Sequence, residues 1–222
     1  MATDTITPAV RVSPAAPDRT AKRVTASLFV SGGLLLALGG QLHPHGSGET
    51  VDQHLLSMFE SPIWYASHLI ALAGSVLCAL AFVAAWRTRA FGPAVQRWLP
   101  VTAGLWALGA VEQVPHLLAA READALEHHH ATPVLDLHLV LQMVATPAVG
   151  ITGVLVAVAV ARAARTRAAV ALAVVAVVGG ALYAVSAPLV VISGNTALTV
   201  LFPFQAGLAI WMAGTGVRLF RS

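Results

Sequence analysis

The sequence predicts an all-α polytopic membrane protein with six transmembrane helices, and three observations carry that expectation. Of 222 residues, 57% are hydrophobic and only 10% are charged, against about 25% charge in a soluble domain. The mean hydropathy is +0.77. Several apolar stretches reach the roughly 20 residues needed to cross a ~30 Å hydrocarbon layer. The same composition excludes a disordered chain, and the 18 glycines lack the three-residue period of collagen.

Residues 1–21 are polar and rich in Pro, Thr and Ala, with Pro8, Pro14 and Pro17 against any helix; they read as a disordered cytoplasmic tail. The remainder, 22–222, reads as one domain with spans at about 24–42, 62–86, 98–118, 134–161, 168–192 and 196–217. The first span ends in small residues, as a signal peptide does. Its polar leader is longer than a charged n-region, so an uncleaved anchor is expected. Thr50-Val51-Asp52-Gln53 has the form of a capping box, and Val51, Leu55, Met58 and Phe59 share one side of a short surface helix over 51–59, a lid or a connector. Ser61-Pro62 and Thr132-Pro133 each offer a cap followed by proline at the first helical position. The last two spans carry no ionisable residue except Tyr183, and Gly179, Gly180, Gly207 and Gly214 permit close helix approach. They are expected to form a packing hairpin beside a four-helix core built from the first four spans.

Charge sets the expected orientation. Every Lys and Arg except Arg121 falls in the tail, in the second and fourth gaps, or at the C-terminus. The gaps on the other side hold Glu49, Asp52, Glu60, Glu122, Asp124 and Glu127. The positive-inside rule then places both termini in the cytoplasm of a multi-pass protein of the cell (inner) membrane, with the lipid bilayer as its partner. The sequence pI of 9.8 does not imply a nucleic-acid partner, because the basic residues punctuate gaps and form no patch. The single cysteine, Cys78, excludes an intramolecular disulfide, and no CxxCH or CxxC is present; it is expected to pack between helices.

All nine histidines fall on the outer half. Counting from the arginine at the inner end of each span, His43, His68 and His116 lie about 19–20 positions up, or roughly 28–30 Å at 1.5 Å per residue. Gln142 is at the same level, with His138 one turn above. Glu112 and His116 stack four residues apart, with Gly109 and Thr102 continuing the stripe. His138, Gln142 and Thr146 recur at the same spacing, Trp64, His68 and Ser75 face them from the second span, and His43 stands above Gly39, Gly40 and Leu36. Asp136 points elsewhere and is assigned to the rim. Pro115, beside His116, removes a backbone hydrogen bond. Glu112 lies inside the hydrocarbon layer, where a charged carboxylate costs about 2.5–3.5 kcal/mol; it must face the interior and have a partner.

These residues support three chemistries. The first is a metal site for copper, zinc or iron, with His43, His68, Glu112, His116 and His138 as ligands, Gln142 and His45 supporting them, and Glu112 as catalytic ligand or proton acceptor. Its redox or Lewis-acid chemistry would act on a lipid-soluble or periplasm-side small molecule, making a metal-dependent membrane oxidoreductase or hydrolase. The second is haem b on His68 and His138, or on His43 and His116, in an electron-transfer protein; the inner half lacks a second histidine pair. The third is a proton-coupled or pH-gated transporter using the same histidines and Glu112. His128-His129-His130 would capture cations for the site, or be a solvated loop. A serine nucleophile at Ser61 or Ser67 beside His68 lacks an elbow and an oriented base.

Overall fold

Apolar helices in lipid leave their polar side chains one place to go, the interior of the bundle. The computed structural model describes residues 19–221 and shows how the chain meets that constraint. Its helices are α1 (Arg19–Leu42), α2 (Val51–Phe59), α3 (Trp64–Arg87), α4 (Pro93–Gln96), α5 (Leu99–Ala119), α6 (Ala123–Glu127), α7 (Pro133–Ala164), α8 (Arg167–Ser193) and α9 (Gln205–Phe220). No strand occurs among the described residues. Residues 1–18, most of the expected tail, lie outside the described residues; 19–21 already belong to α1.

Among the described residues, five stretches have the length and hydropathy to cross a membrane: Arg19–Leu42, Trp64–Arg87, Pro133–Ala164, Arg167–Ser193 and Thr196–Phe220. The exception among the long helices is α5, at 21 residues. Glu112, Gln113 and His116 dilute its apolar character, although it packs between α3 and α7 in the middle of the bundle.

The packing order corrects the expected four-helix core. Successive long helices pack in the order α1, α3, α5, α7, α8, α9, and α9 closes the circle on α1. The last two helices are therefore a wall of the same bundle, and the first four do not close on themselves. Glycine explains the tight closures, as a Cβ at Gly39 would stand 2.6 Å from the Ala71 nitrogen of α3. One at Gly207 would stand 2.6 Å from the Val175 carbonyl of α8. The last span is also not one α-helix. Residues Thr196–Phe204 form a 3-10 segment, entered through the Asn195 side chain, which accepts from Ala197 N–H, and only then does α9 begin.

Helix ends follow the expected signal at α2, depart from it at α3 and α7, and gain an unanticipated cap at α8. Thr50 and Gln53 make both bonds of the capping box at α2. Thr166 accepts from Ala169 N–H to start α8, directly after Arg165 ends α7 in the left-handed region (φ 51°). At α3 the start is displaced from Pro62 to Trp64. At α7 Thr132 makes no side-chain cap bond. Instead Glu122 reaches across from the preceding turn and accepts from Val134 N–H and Leu135 N–H at 3.0 and 2.9 Å, a carboxylate at the positive end of a helix.

Two apolar clusters bracket the interior. Toward the arginine-rich end, Phe29 meets Phe82, Phe91 and Trp211 edge to face, and Trp106 packs on Phe82. At the opposite, histidine end, Met58 and Phe59 of α2 pack with Trp64, Ala119, Leu126 and Leu135. The surface helix is thus a plug seated on the ends of α3, α5 and α7. Cys78 is buried between helices, against Gly32.

Because no Cβ fits between α1 and Ala71, the Gly39→Leu variant is expected to lose about 1–3 kcal/mol through overpacking. Thermal unfolding in mild detergent measures it, with the exposed Leu34→Ala variant, on the same helix, staying near wild type.

Candidate metal centre

Between the two apolar clusters lies a layer of imidazoles. The end of α1 supplies His43, the first turns of α3 supply His68, the last turns of α5 supply Glu112 and His116, and the start of α7 supplies His138. All four imidazoles touch in sequence. The His43 and His68 rings are 4.7 Å apart, those of His68 and His116 4.4 Å, and those of His116 and His138 are stacked at 4.0 Å. Trp64 covers the His68 ring at 3.8 Å and is itself backed by Phe59 of α2. Its indole N–H donates to the Leu117 carbonyl at 3.1 Å, fixing it to the end of α5.

Hydrogen bonds decide which nitrogen of each ring is free. A carbonyl only accepts, so His43 donates from Nδ1 to the Pro44 carbonyl at 2.8 Å. His68 likewise donates from Nδ1 to the Trp64 carbonyl at 2.6 Å. Both rings are then left with an Nε2 lone pair, the arrangement found where a histidine is oriented as a metal ligand by its other nitrogen. The Nε2 of His68 faces the Nε2 of His116 at 3.2 Å. Two bonds of about 2.0–2.1 Å at a tetrahedral angle hold ligand nitrogens roughly 3.3–3.4 Å apart, so this pair already has the edge length of a tetrahedral site.

Glu112 sits behind that edge, 4% exposed. One oxygen accepts from His138 Nδ1 at 2.6 Å and lies 3.8 Å from His116 Nδ1; the other accepts from the Gln113 amide at 3.0 Å. Two overlapping triads result, His43–His68–His116 and Glu112–His116–His138, each with ligand atoms within 4.8 Å of one another. His116 belongs to both.

A cavity of about 240 Å³ opens beside this cluster, lined by His43, Glu112, His116 and His138, by Gln142 of α7, and by Val51, His54 and Met58 of α2. Its far wall includes Tyr183 of α8, Thr196 and Thr199 of the 3-10 segment, and Gln205 of α9. Beneath Glu112 a smaller void, about 10 Å³ and so the size of one water, is bordered by Ser75, Trp106, Gln113, Thr146, Tyr183 and Gln205.

The expected stripes on α3, α5 and α7 are therefore brought together. His45 is exposed at the cavity mouth, and Asp136 is exposed away from it. The His128–His130 loop stays apart: His128 bonds the Asp124 carbonyl and lies 3.5 Å from its carboxylate, within its own turn. Gln113, Tyr183, Gln205 and His54 were not anticipated at the site. Of these only Tyr183 carried a signal, as the single ionisable group of its helix; Gln205 belongs to the helix that the expected core left out. Comparison with protein-family models, with curated proteins and with solved structures finds no match.

Removing the carboxylate leaves the buried His138 Nδ1–H without an acceptor, so Glu112→Ala is expected to cost about 1–3 kcal/mol. A double-mutant cycle with His138→Phe, read by thermal unfolding, checks that the loss is shared. At the solvated loop, the bond to the Asp124 carbonyl, and then the Asp124 carboxylate, raise His128 above its ordinary value of 6.5. The interaction therefore holds the turn below the unfolded value and is lost as pH rises through the folded one. An NMR titration of His128 checks this, and Asp124→Asn is expected to reduce the upward shift without abolishing it.

Proposed function

We propose that the chain is a six-span membrane protein, with α5 as the polar sixth span and both termini in the cytoplasm, whose histidine layer binds a metal ion for chemistry on a lipid-soluble or periplasm-side small molecule. The observation that carries the reading is the His68–His116 edge, two Nε2 atoms at 3.2 Å, with His68 oriented for ligation by a backbone carbonyl and His43 beside it. Three imidazoles and an open fourth position form the donor set of a catalytic rather than a closed structural site. Nitrogen and oxygen donors without thiolate suit copper, zinc or iron. The unbroken run of ring contacts from His43 through His68 and His116 to His138 leaves no slot for a porphyrin between neighbours, which favours a single ion over haem b.

A bound ion there would supply Lewis-acid or one-electron chemistry. The chain's own contribution is positional. Glu112, held by His138 and Gln113, is the proton acceptor at the edge of the cavity. Trp64, Phe59 and the α2 plug keep bulk water from the imidazoles, and Gln142 presents an amide to an incoming molecule.

A second reading, a proton-coupled transporter, gains support from one feature. The polar void beneath Glu112 extends the His–Glu chain inward past Thr146, already on the expected stripe, to Tyr183 and Gln205, which the sequence alone did not provide.

Purified in mild detergent and loaded in turn with zinc, copper and iron, the wild-type chain is expected to hold about one ion per chain. His116→Ala, which breaks both triads, is expected to hold none, and Glu112→Gln to bind 10–100-fold more weakly. Elemental analysis and an absorption spectrum on the same sample decide the matter. A chain that stays metal-free after loading overturns the reading, and a Soret band replaces it with haem.

A further inference from the structure

The large cavity has a composition that narrows what it can receive. No Lys or Arg lines it among the described residues, so away from the histidine layer its walls offer a phosphate or carboxylate head no permanent cation. Its one carboxylate, Glu112, is already engaged by His138 and Gln113, which leaves no free anion to draw a cationic head. What the walls do offer is neutral hydrogen bonding. Gln142 lines the cavity, and its amide has no hydrogen-bond partner among the described residues. An amide that faces the cavity without a protein partner has its N–H groups free to donate, so a ligand oxygen finds a donor already in place. The Tyr183 and Thr199 hydroxyls line the same space.

Size and shape add a second constraint. About 240 Å³ falls just under the ~300 Å³ at which pockets for whole drug-sized ligands begin, enough for a single-ring head and not for a long chain. One side of the cavity gives a chain somewhere to go. α1 packs on α9 where Ala26 meets Gly216 and Gly33 meets Ala209, and at Gly40 only the end of the Gln205 side chain approaches. Beyond Gly40 the cavity is walled by Gln41 and Pro44 on one side and by Thr199, Phe202 and Pro203 on the other, segments that do not pack extensively on each other.

We infer that this cavity binds a neutral amphiphile with a single-ring head bearing carbonyl or hydroxyl oxygens, of the quinone or phenol kind. Its oxygen meets Gln142, and its apolar tail leaves between α1 and the 196–204 segment toward the lipid. The inference rests on the proposed function in taking the cavity as that site's substrate space, and it adds the substrate's chemical class.

The test uses the full chain in mild detergent, with a decyl-substituted benzoquinone as probe and decyl phosphate as the matched anionic control. The quinone is expected to raise Tm saturably and the phosphate to leave it unchanged. Gln142→Leu is expected to shift the quinone midpoint at least tenfold, and Thr199→Phe, which narrows the exit from the wall opposite Gln142, to do the same; the second variant decides if the first does not fold. Equal shifts from both probes, or wild-type midpoints in both variants, overturn the inference. Metal content is measured on the same samples. A chain that holds metal but ignores the quinone overturns the substrate class alone, whereas one that binds the quinone but no metal overturns the metal centre and upholds this inference.

Discussion

The buried pairing of Glu112 with His138 is the constraint to which the rest of the interior answers. A carboxylate among apolar helices is tolerated only with a partner and with its remaining lone pairs occupied. Here the His138 imidazole takes one oxygen at 2.6 Å and the Gln113 amide takes the other. That pair ties α5 to α7. It also presents Glu112 to His116 one turn later, and His116 carries the polar layer on to His68 of α3 and His43 at the end of α1. Four helices are thereby held in register by polar groups, in an interior where apolar side chains slide past one another with little preference.

Apolar packing does the complementary work of closing that layer in. Phe29, Phe82, Trp106 and Trp211 fill one side. On the other, α2 drives Met58 and Phe59 onto Trp64, and Trp64 lies against His68. Apolar neighbours on these two sides strengthen the interactions within the layer, while the cavity leaves its third side open. Gln142 presents its amide to open space on the cavity side of the cluster, where a small molecule has room.

Much of this was legible in the residues. The long helices, the surface helix and its capping box follow from hydropathy, helical periodicity and a four-residue motif, all of which are local. Heights of the histidines followed from the 1.5 Å rise counted from the arginines, and the shared faces of Glu112 with His116 and of His138 with Gln142 and Thr146 from the helical period. The partner of Glu112 was not legible. His138, Gln142 and Thr146 share one face, and by height Thr146 stands nearest Glu112, so only the axial offset of α7 against α5 selects His138. Nor was the role of the last two helices. Their even apolar composition carries no face, so nothing in it distinguishes a hairpin outside the bundle from a wall within it.

The sequence by itself determined that the chain is helical, suited to a membrane, and provided with a band of imidazoles and one deep carboxylate at a common level, because those properties depend on spacing along a single helix. Tertiary structure alone decided which nitrogens meet, that α9 closes on α1, that Tyr183 and Gln205 share the cavity, and that Glu122 rather than Thr132 caps α7. The physical reason is that these depend on helix rotation and neighbour order. Both are set by where glycine lets backbones approach and where bulky aromatics hold them apart, across residues more than a hundred positions distant in the chain.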